Sequence, residues 1–249
     1  MTGRSFLEEA RRLAGSLPLA VNVYRWLREL ADPHRRALRI ARETQGDQLL
    51  QWSSATFADR YPPYFQALQH ELARIERPRI LSFGCSTGEE VFSLRGYFPD
   101  AELTGIDINA HSIAVANAAL ARRADQTGIT FRCSGSLDDE PSARYDAICA
   151  MAVLRHGELT RLRPPSCEAY LPFEKVERAV AGLIRCLKPG GLLMVSNSNY
   201  RVIDMACASD LTIAFSDPLG LTQPEPLYGP DNLKLESPVN CEVIFRKMS

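Results

Sequence analysis

The stretch Arg79-Ile80-Leu81-Ser82-Phe83-Gly84-Cys85-Ser86-Thr87-Gly88-Glu89-Glu90 constrains this chain more than any other. A short apolar run ends in small residues, and an amphipathic segment (Val91, Phe92, Leu94, Tyr97, Phe98) follows at once. That order predicts strand, turn and helix, with glycines that let a ligand approach the backbone closely. Ala101-Glu102-Leu103-Thr104-Gly105-Ile106-Asp107 then reads as a second strand ending in an acid, 23 residues after Gly84. A carboxylate at that distance can accept hydrogen bonds from both hydroxyls of a ribose. The spacing alone fits a dinucleotide and an adenosyl ligand equally.

Ser86 and Glu89 stand where a dinucleotide fingerprint needs glycines, and a Glu-Glu pair at a helix start repels a pyrophosphate. Carboxylates there suit a ligand that presents an ammonium group, although with no ligand they would still complement the helix dipole. The segment Gly84-Cys85-Ser86-Thr87-Gly88-Glu89-Glu90 resembles motif I of class I S-adenosylmethionine (SAM)-dependent methyltransferases, and is similar in particular to the chemotaxis-receptor version. The resemblance implies a Rossmann-like α/β fold: a seven-stranded, mostly parallel sheet with helices on both faces and an antiparallel last strand. It implies SAM as cofactor, S-adenosylhomocysteine (SAH) as product, and no metal. By the same resemblance Gly84, Cys85 and Ser86 form the cofactor loop, Glu89 takes the cofactor's amino group, and Asp107 with Ile108 takes the ribose. Most class I members carry an acid two residues before the first glycine, where this chain has Ser82.

Upstream, residues 1–76 read as a helical cap and residues 77–249 as the SAM-binding domain. Phe6, Leu7, Ala10, Leu13 and Ala14 recur at helical spacing, as do Val23, Trp26, Leu27 and Leu30, and a further helix starts at Asp32-Pro33. Residues 1–50 hold nine arginines, no lysine and six acids, a basic excess that solvated helix faces explain or that meets an acidic partner. Ser53 to Pro63 interrupts the helices, since Pro62 holds Tyr61 extended. Chemotaxis methyltransferases carry a similar element with a Thr and an Arg four residues apart. The resemblance therefore implies that Thr56 and Arg60 contact the cofactor, and a guanidinium pairs well with its carboxylate.

Downstream, Ile129 to Cys133 reads as the third strand, running into Ser134-Gly135-Ser136-Leu137, where class I enzymes enclose the adenine. Tyr145 to Ala150 is the fourth strand. Phe173 to Leu187 is a helix stopped by Lys188-Pro189-Gly190-Gly191, with the fifth strand from Leu192. Leu211–Phe215 and Cys241–Arg246 supply the last two strands, separated by a loop with five prolines. Strand ends four and five offer Met151, Arg155, His156 and Glu158, then Asn197, Asn199, Tyr200 and Arg201. Met151 is expected to border the cofactor. His156 is the candidate general base, because an unperturbed imidazole titrates near neutrality.

Met151-Ala152-Val153 replaces the Arg-Asn-Val of the chemotaxis enzymes, and their small receptor-docking β-subdomain has no counterpart here. The expected acceptor is therefore a small molecule; a protein carboxyl acceptor and a non-catalytic SAM-binding domain are the alternatives. A net charge of −1 provides no basic field for nucleic acid. Seven scattered cysteines without a Cys-x-x-Cys pair read as reduced thiols, and no apolar run reaches membrane-spanning length, so the expected location is the cytoplasm.

Overall fold

The structure, a computed structural model, describes residues 32–46, 50, 58–219, 226–236 and 240–248. The helices expected over residues 6–30 and the role given to Thr56 lie outside the described residues. Helix α1, Pro33–Gln45, begins as expected: the Asp32 carboxylate accepts from the backbone N–H of His34 and Arg35 at 3.0 and 3.3 Å, with proline at the first helical position. Helix α2, Pro62–Glu71, follows Tyr61 and buries Tyr64, Phe65 and Leu68.

The remaining elements alternate. They are β1 Arg79–Phe83, α3 Glu89–Tyr97, β2 Glu102–Asp107, α4 Ala110–Leu120, β3 Ile129–Cys133, β4 Tyr145–Met151, α5 Gly157–Leu162, α6 Phe173–Cys186, β5 Leu187–Ser196, β6 Leu211–Ser216 and β7 Glu242–Lys247. The strands form one sheet in the order β3-β2-β1-β4-β5-β7-β6. All pairs from β3 to β5 are parallel, and β7 runs antiparallel to both its neighbours. This is the Rossmann-like methyltransferase fold that the sequence implied.

Alternation along the strands builds a core on each face of the sheet. Leu81, Ile148, Leu193 and Phe245 are paired in register across four strands and fill one face. Their neighbours Ile80, Ala147, Leu192 and Ile244 fill the other, and all four are fully buried. A central parallel sheet covered by helices on both sides needs such unbroken apolar strands.

One boundary differs from expectation. The Lys188-Pro189-Gly190-Gly191 segment is not a turn ahead of β5 but a bulge inside it. Leu187 already pairs with Tyr145, and pairing resumes at Leu192 opposite Ala147. Gly190 adopts φ 75°, and a Cβ on Gly191 would lie 2.9 Å from the Lys188 carbonyl oxygen. Lys188 then reaches back to the buried Asp146, donating to Oδ1 at 2.7 Å, while the Arg79 N–H donates to Oδ2 at 2.8 Å. One carboxylate thus ties the starts of β1 and β5 to β4.

Candidate active site

In an open parallel sheet, ligands sit outside the carboxyl ends of the strands, where the strand order reverses. Here that point lies between β1 and β4. The loop leaving β1 is held by β2: Gly84 N–H and Cys85 N–H both donate to the Ile106 carbonyl, at 2.7 and 3.0 Å. Ser86 takes φ 50° and donates its N–H to Asp107 Oδ2 at 2.8 Å. Asp107 Oδ1 accepts from Asn109 N–H at 2.8 Å. Each carboxylate oxygen keeps a lone pair for a further donor. Burial raises the Asp107 pKa, and the bonds from Asn109 and Ser86 oppose that rise.

The glycines of the loop are packed closely by side chains of the fold. Gly84 adopts φ 77°, and a Cβ there would come within 2.5 Å of Val153 Cγ2. Gly88, at φ 92°, opens α3, and its Cβ would meet the Phe131 ring at 2.8 Å. Leu137 is buried in the core cluster that also holds Ile106, while Ser136 forms a local turn through Ser134 Oγ and Asp138. Ile108 accepts from the Cys133 thiol at 3.6 Å, and Met151 ends β4 with 7% exposure.

The two glutamates of α3 face different surroundings. Glu89 acts electrostatically on Arg123, whose guanidinium lies 4.6 Å from the centroid of the Phe92 ring. Glu90 turns to the junction of β1 and β4, where Ser82 Oγ donates to its Oε1 at 2.8 Å. Burial raises the Glu90 pKa to about 7, against the hydrogen bond from Ser82 and the attraction of Arg60. The carboxylate at the strand junction is therefore Glu90. The available signal was Ser82 itself, a hydroxyl at the place of the usual acid, eight residues before a glutamate that supplies the missing charge.

Arg60 reaches this junction because its segment is pinned to α3. Asp59 N–H donates to Ser93 Oγ at 2.8 Å, and the Tyr97 hydroxyl donates to Asp59 Oδ1 at 3.0 Å. Arg60 lies over the Tyr61 ring at 5.2 Å. The backbone is strained where β4 and β5 end, with Ala152 at φ 58° and Asn197 at φ 55°, a feature that collects at functional sites.

His156 does not present itself as a base. Its Nδ1 accepts from Glu158 N–H at 3.2 Å and caps α5, which leaves the ring proton on Nε2 in the neutral form. It is 5% exposed, and burial lowers its pKa. The His156 backbone N–H donates to Asn199 Oδ1 at 2.8 Å, so the residue fastens the post-β4 loop to the post-β5 loop.

A cavity of ≈ 670 Å³ lies at the other end of the sheet, where Glu76, Arg77, Asp100, Thr127 and Gly128 precede β1, β2 and β3. Arg95 beside it is spent on structure, donating to the carbonyls of Phe98, Pro99, Ala101 and Thr127. Among the described residues no cluster of three or more metal-binding side chains occurs, and no helix is long and apolar enough to cross a membrane.

Residues 81–193, which span β1 to β5, match the family described as a methyltransferase domain. The chain is 31% identical over 135 residues to a ubiquinone biosynthesis O-methyltransferase of Bradyrhizobium sp., covering 51% of this chain and 44% of that one. It is 30% identical over 136 residues to an uncharacterised Synechococcus protein, covering 54% of this chain and 29% of that one. A SAM-dependent methyltransferase of Methanosarcina mazei is similar in structure, at 24% identity and TM-score 0.40, over 54% of this chain and 56% of that one. The chain spans less than half the length of both sequence relatives. The match over residues 81–193 is to a methyltransferase domain, a class for which SAM is the implied cofactor.

Proposed function

We propose that this protein transfers the methyl group of SAM to a small-molecule acceptor. The observation that carries the reading is the double grip of Asp107 on the Ser86 and Asn109 amides, which fixes an acid and a glycine-lined loop together at the strand-order reversal. Asp107 takes the ribose hydroxyls, the Gly84–Ser86 backbone lies against the cofactor, and Ser136 and Leu137 border the adenine. Glu90, rather than Glu89, pairs with the methionyl ammonium. Arg60 takes the methionyl carboxylate, and Met151 closes the floor beside the sulfur. When bound, SAM supplies an electrophilic methyl carbon on a sulfonium, whose bond electrons return to sulfur as the acceptor's lone pair takes the methyl group.

What remains for the chain is alignment and exclusion of water. The post-β4 and post-β5 loops support a small acceptor, because they are bonded to each other and to residues 226–236. Tyr228 N–H donates to the Asn199 carbonyl at 3.0 Å, and Cys167 N–H to the Asn232 carbonyl at 2.9 Å. His156 serves this wall and not proton removal. The test is SAH formation from SAM with a fractionated metabolite extract and, separately, with a macromolecular fraction. Turnover with the small-molecule fraction supports the reading. Turnover with the macromolecular fraction alone contradicts it, and SAH binding without turnover in either fraction would leave a binding domain.

A further inference from the structure

Asn109 is 1% exposed, and each of its polar groups is engaged. Its backbone N–H donates to Asp107 Oδ1 at 2.8 Å, and its carbonyl accepts from Ile113 N–H at 3.1 Å. Its Oδ1 accepts from the His111 and Ser112 N–H groups at 3.0 and 3.3 Å, which caps α4. That leaves Nδ2 for His34, in the first turn of α1. Nδ2 donates to the His34 carbonyl at 3.3 Å and stands 3.1 Å from His34 Nδ1, which also lies 3.4 Å from Oγ of the buried Ser112. Because the α4 amides hold Asn109 Oδ1, the group facing the imidazole is an N–H, and Nδ1 accepts there. The His111 ring packs edge-on to His34 at 6.2 Å. A hydrogen-bonded row thus runs from α1 through Asn109 and Asp107 to the Ser86 amide.

The course of α1 gives this row a use. Helix α4 follows β2 and α6 leads into β5, so both helices begin at the carboxyl end of the sheet. They lie on opposite faces: α4 buries Ile113 and Ala116 in one core, and α6 buries Val176, Val180 and Leu183 in the other. Helix α1 packs on α4, and the Gly46 carbonyl just past its end accepts from Lys175 Nζ, in the first turn of α6, at 2.9 Å. Its 13 residues, at about 1.5 Å each, reach from one face to the other past the end of the sheet where Asp107 stands.

We propose that α1 is a strap over the ribose end of the cofactor site, with His34 as the positioning residue that fastens it to the asparagine orienting Asp107. The proposal rests on the SAM reading above. A ribose bonded to Asp107 fixes that carboxylate, Asn109 and the His34 clasp together. Ribose binding and docking of α1 therefore favour each other by the same factor.

The experiment is hydrogen exchange of the α1 amides, read by mass spectrometry on the full chain with and without SAH, together with calorimetry. In wild type, SAH should slow exchange over residues 36–45 by at least about fivefold. His34→Ala should weaken SAH by about fivefold and leave α1 exchange fast and indifferent to SAH. His34→Asn, whose Oδ1 can stand where Nδ1 accepts, should restore both to within about twofold of wild type. Adenosine should weaken with SAH in His34→Ala, whereas 2′,3′-dideoxyadenosine, which has no ribose hydroxyls, should change by less than about twofold. Wild-type exchange decides the matter if His34→Ala does not fold. SAH binding without slower α1 exchange, unchanged SAH affinity in His34→Ala, equal losses of adenosine and dideoxyadenosine, or no rescue by His34→Asn would each overturn the proposal. Failure of wild type to bind SAH at all would remove the cofactor reading itself, and this inference with it.

Discussion

The two sides of the strand junction are built by different means. On the β1–β2 side the surface proposed for the cofactor is backbone: glycines with positive φ, amide groups tied to the Ile106 carbonyl, and one acid that grips two N–H groups. On the β4–β5 side it is side chain: Arg155 and Asn197 come from separate segments and meet only in the fold. A backbone cradle fits a ligand that never changes and can be written in a few adjacent residues. A side-chain wall can be rewritten for each acceptor, and its residues need no common motif.

The comparison breaks first at Asp107. Asp107→Ala removes the proposed ribose acceptor together with the anchor of the Ser86 and Asn109 amides. SAH affinity should fall roughly a hundredfold, at about 1.5–3 kcal/mol for each charge-assisted hydrogen bond. Calorimetry on folded mutant protein checks this, and a loss under about threefold would mean the cradle does not hold the ribose.

Glu90→Gln should weaken SAH by about tenfold, while Glu89→Gln stays within about twofold. The pH behaviour sharpens the distinction. The Glu90 carboxyl titrates at about 7 in the fold, against an ordinary 4.5, so the folded state holds an extra proton between those values. Stability of the ligand-free protein should therefore fall as pH rises from 4.5 through 7, and Glu90→Gln should flatten that slope. An ammonium partner favours the ionised carboxylate, so SAH affinity should rise over the same window, with proton release in calorimetry at pH 6. Equal behaviour of wild type and Glu90→Gln would remove Glu90 from the site.

Arg60→Ala should cost SAH about five- to tenfold and leave 5′-methylthioadenosine, which has no methionyl carboxylate, nearly unchanged. Equal losses for both ligands would make Arg60 a support for the loop alone. The smallest effect belongs to His156. Asn is as good a helix N-cap, so His156→Asn should keep stability within about 1 kcal/mol and transfer rates within about threefold. A loss of about a hundredfold in rate with normal melting would restore His156 as the base.

The sheet was legible because its signals are local and physical. The apolar runs of β1 and β4, the acid ending β2 and the Lys-Pro-Gly-Gly segment each mark a backbone need. The last of these was misplaced by a few residues because only the pairing of Leu187 with Tyr145 reveals a bulge within β5. Glu89 and Glu90 could not be separated by spacing, since both sit in the first turn of α3; the partner of each, Arg123 or Ser82, depends on packing. His156 looked like a base because sequence shows an imidazole but not the Glu158 amide that occupies it. Tyr61 read only as a residue held extended by the following proline; its burial follows from packing on Tyr64 and Phe65.

The most direct test of the account is a crystal structure of the SAH complex. The account predicts both ribose hydroxyls within hydrogen-bond reach of Asp107 and the methionyl ammonium on Glu90, at the junction of β1 and β4. SAH seated in the cavity beside Glu76 and Arg95, or its ammonium on Glu89 with Glu90 still bonded only to Ser82, would contradict it.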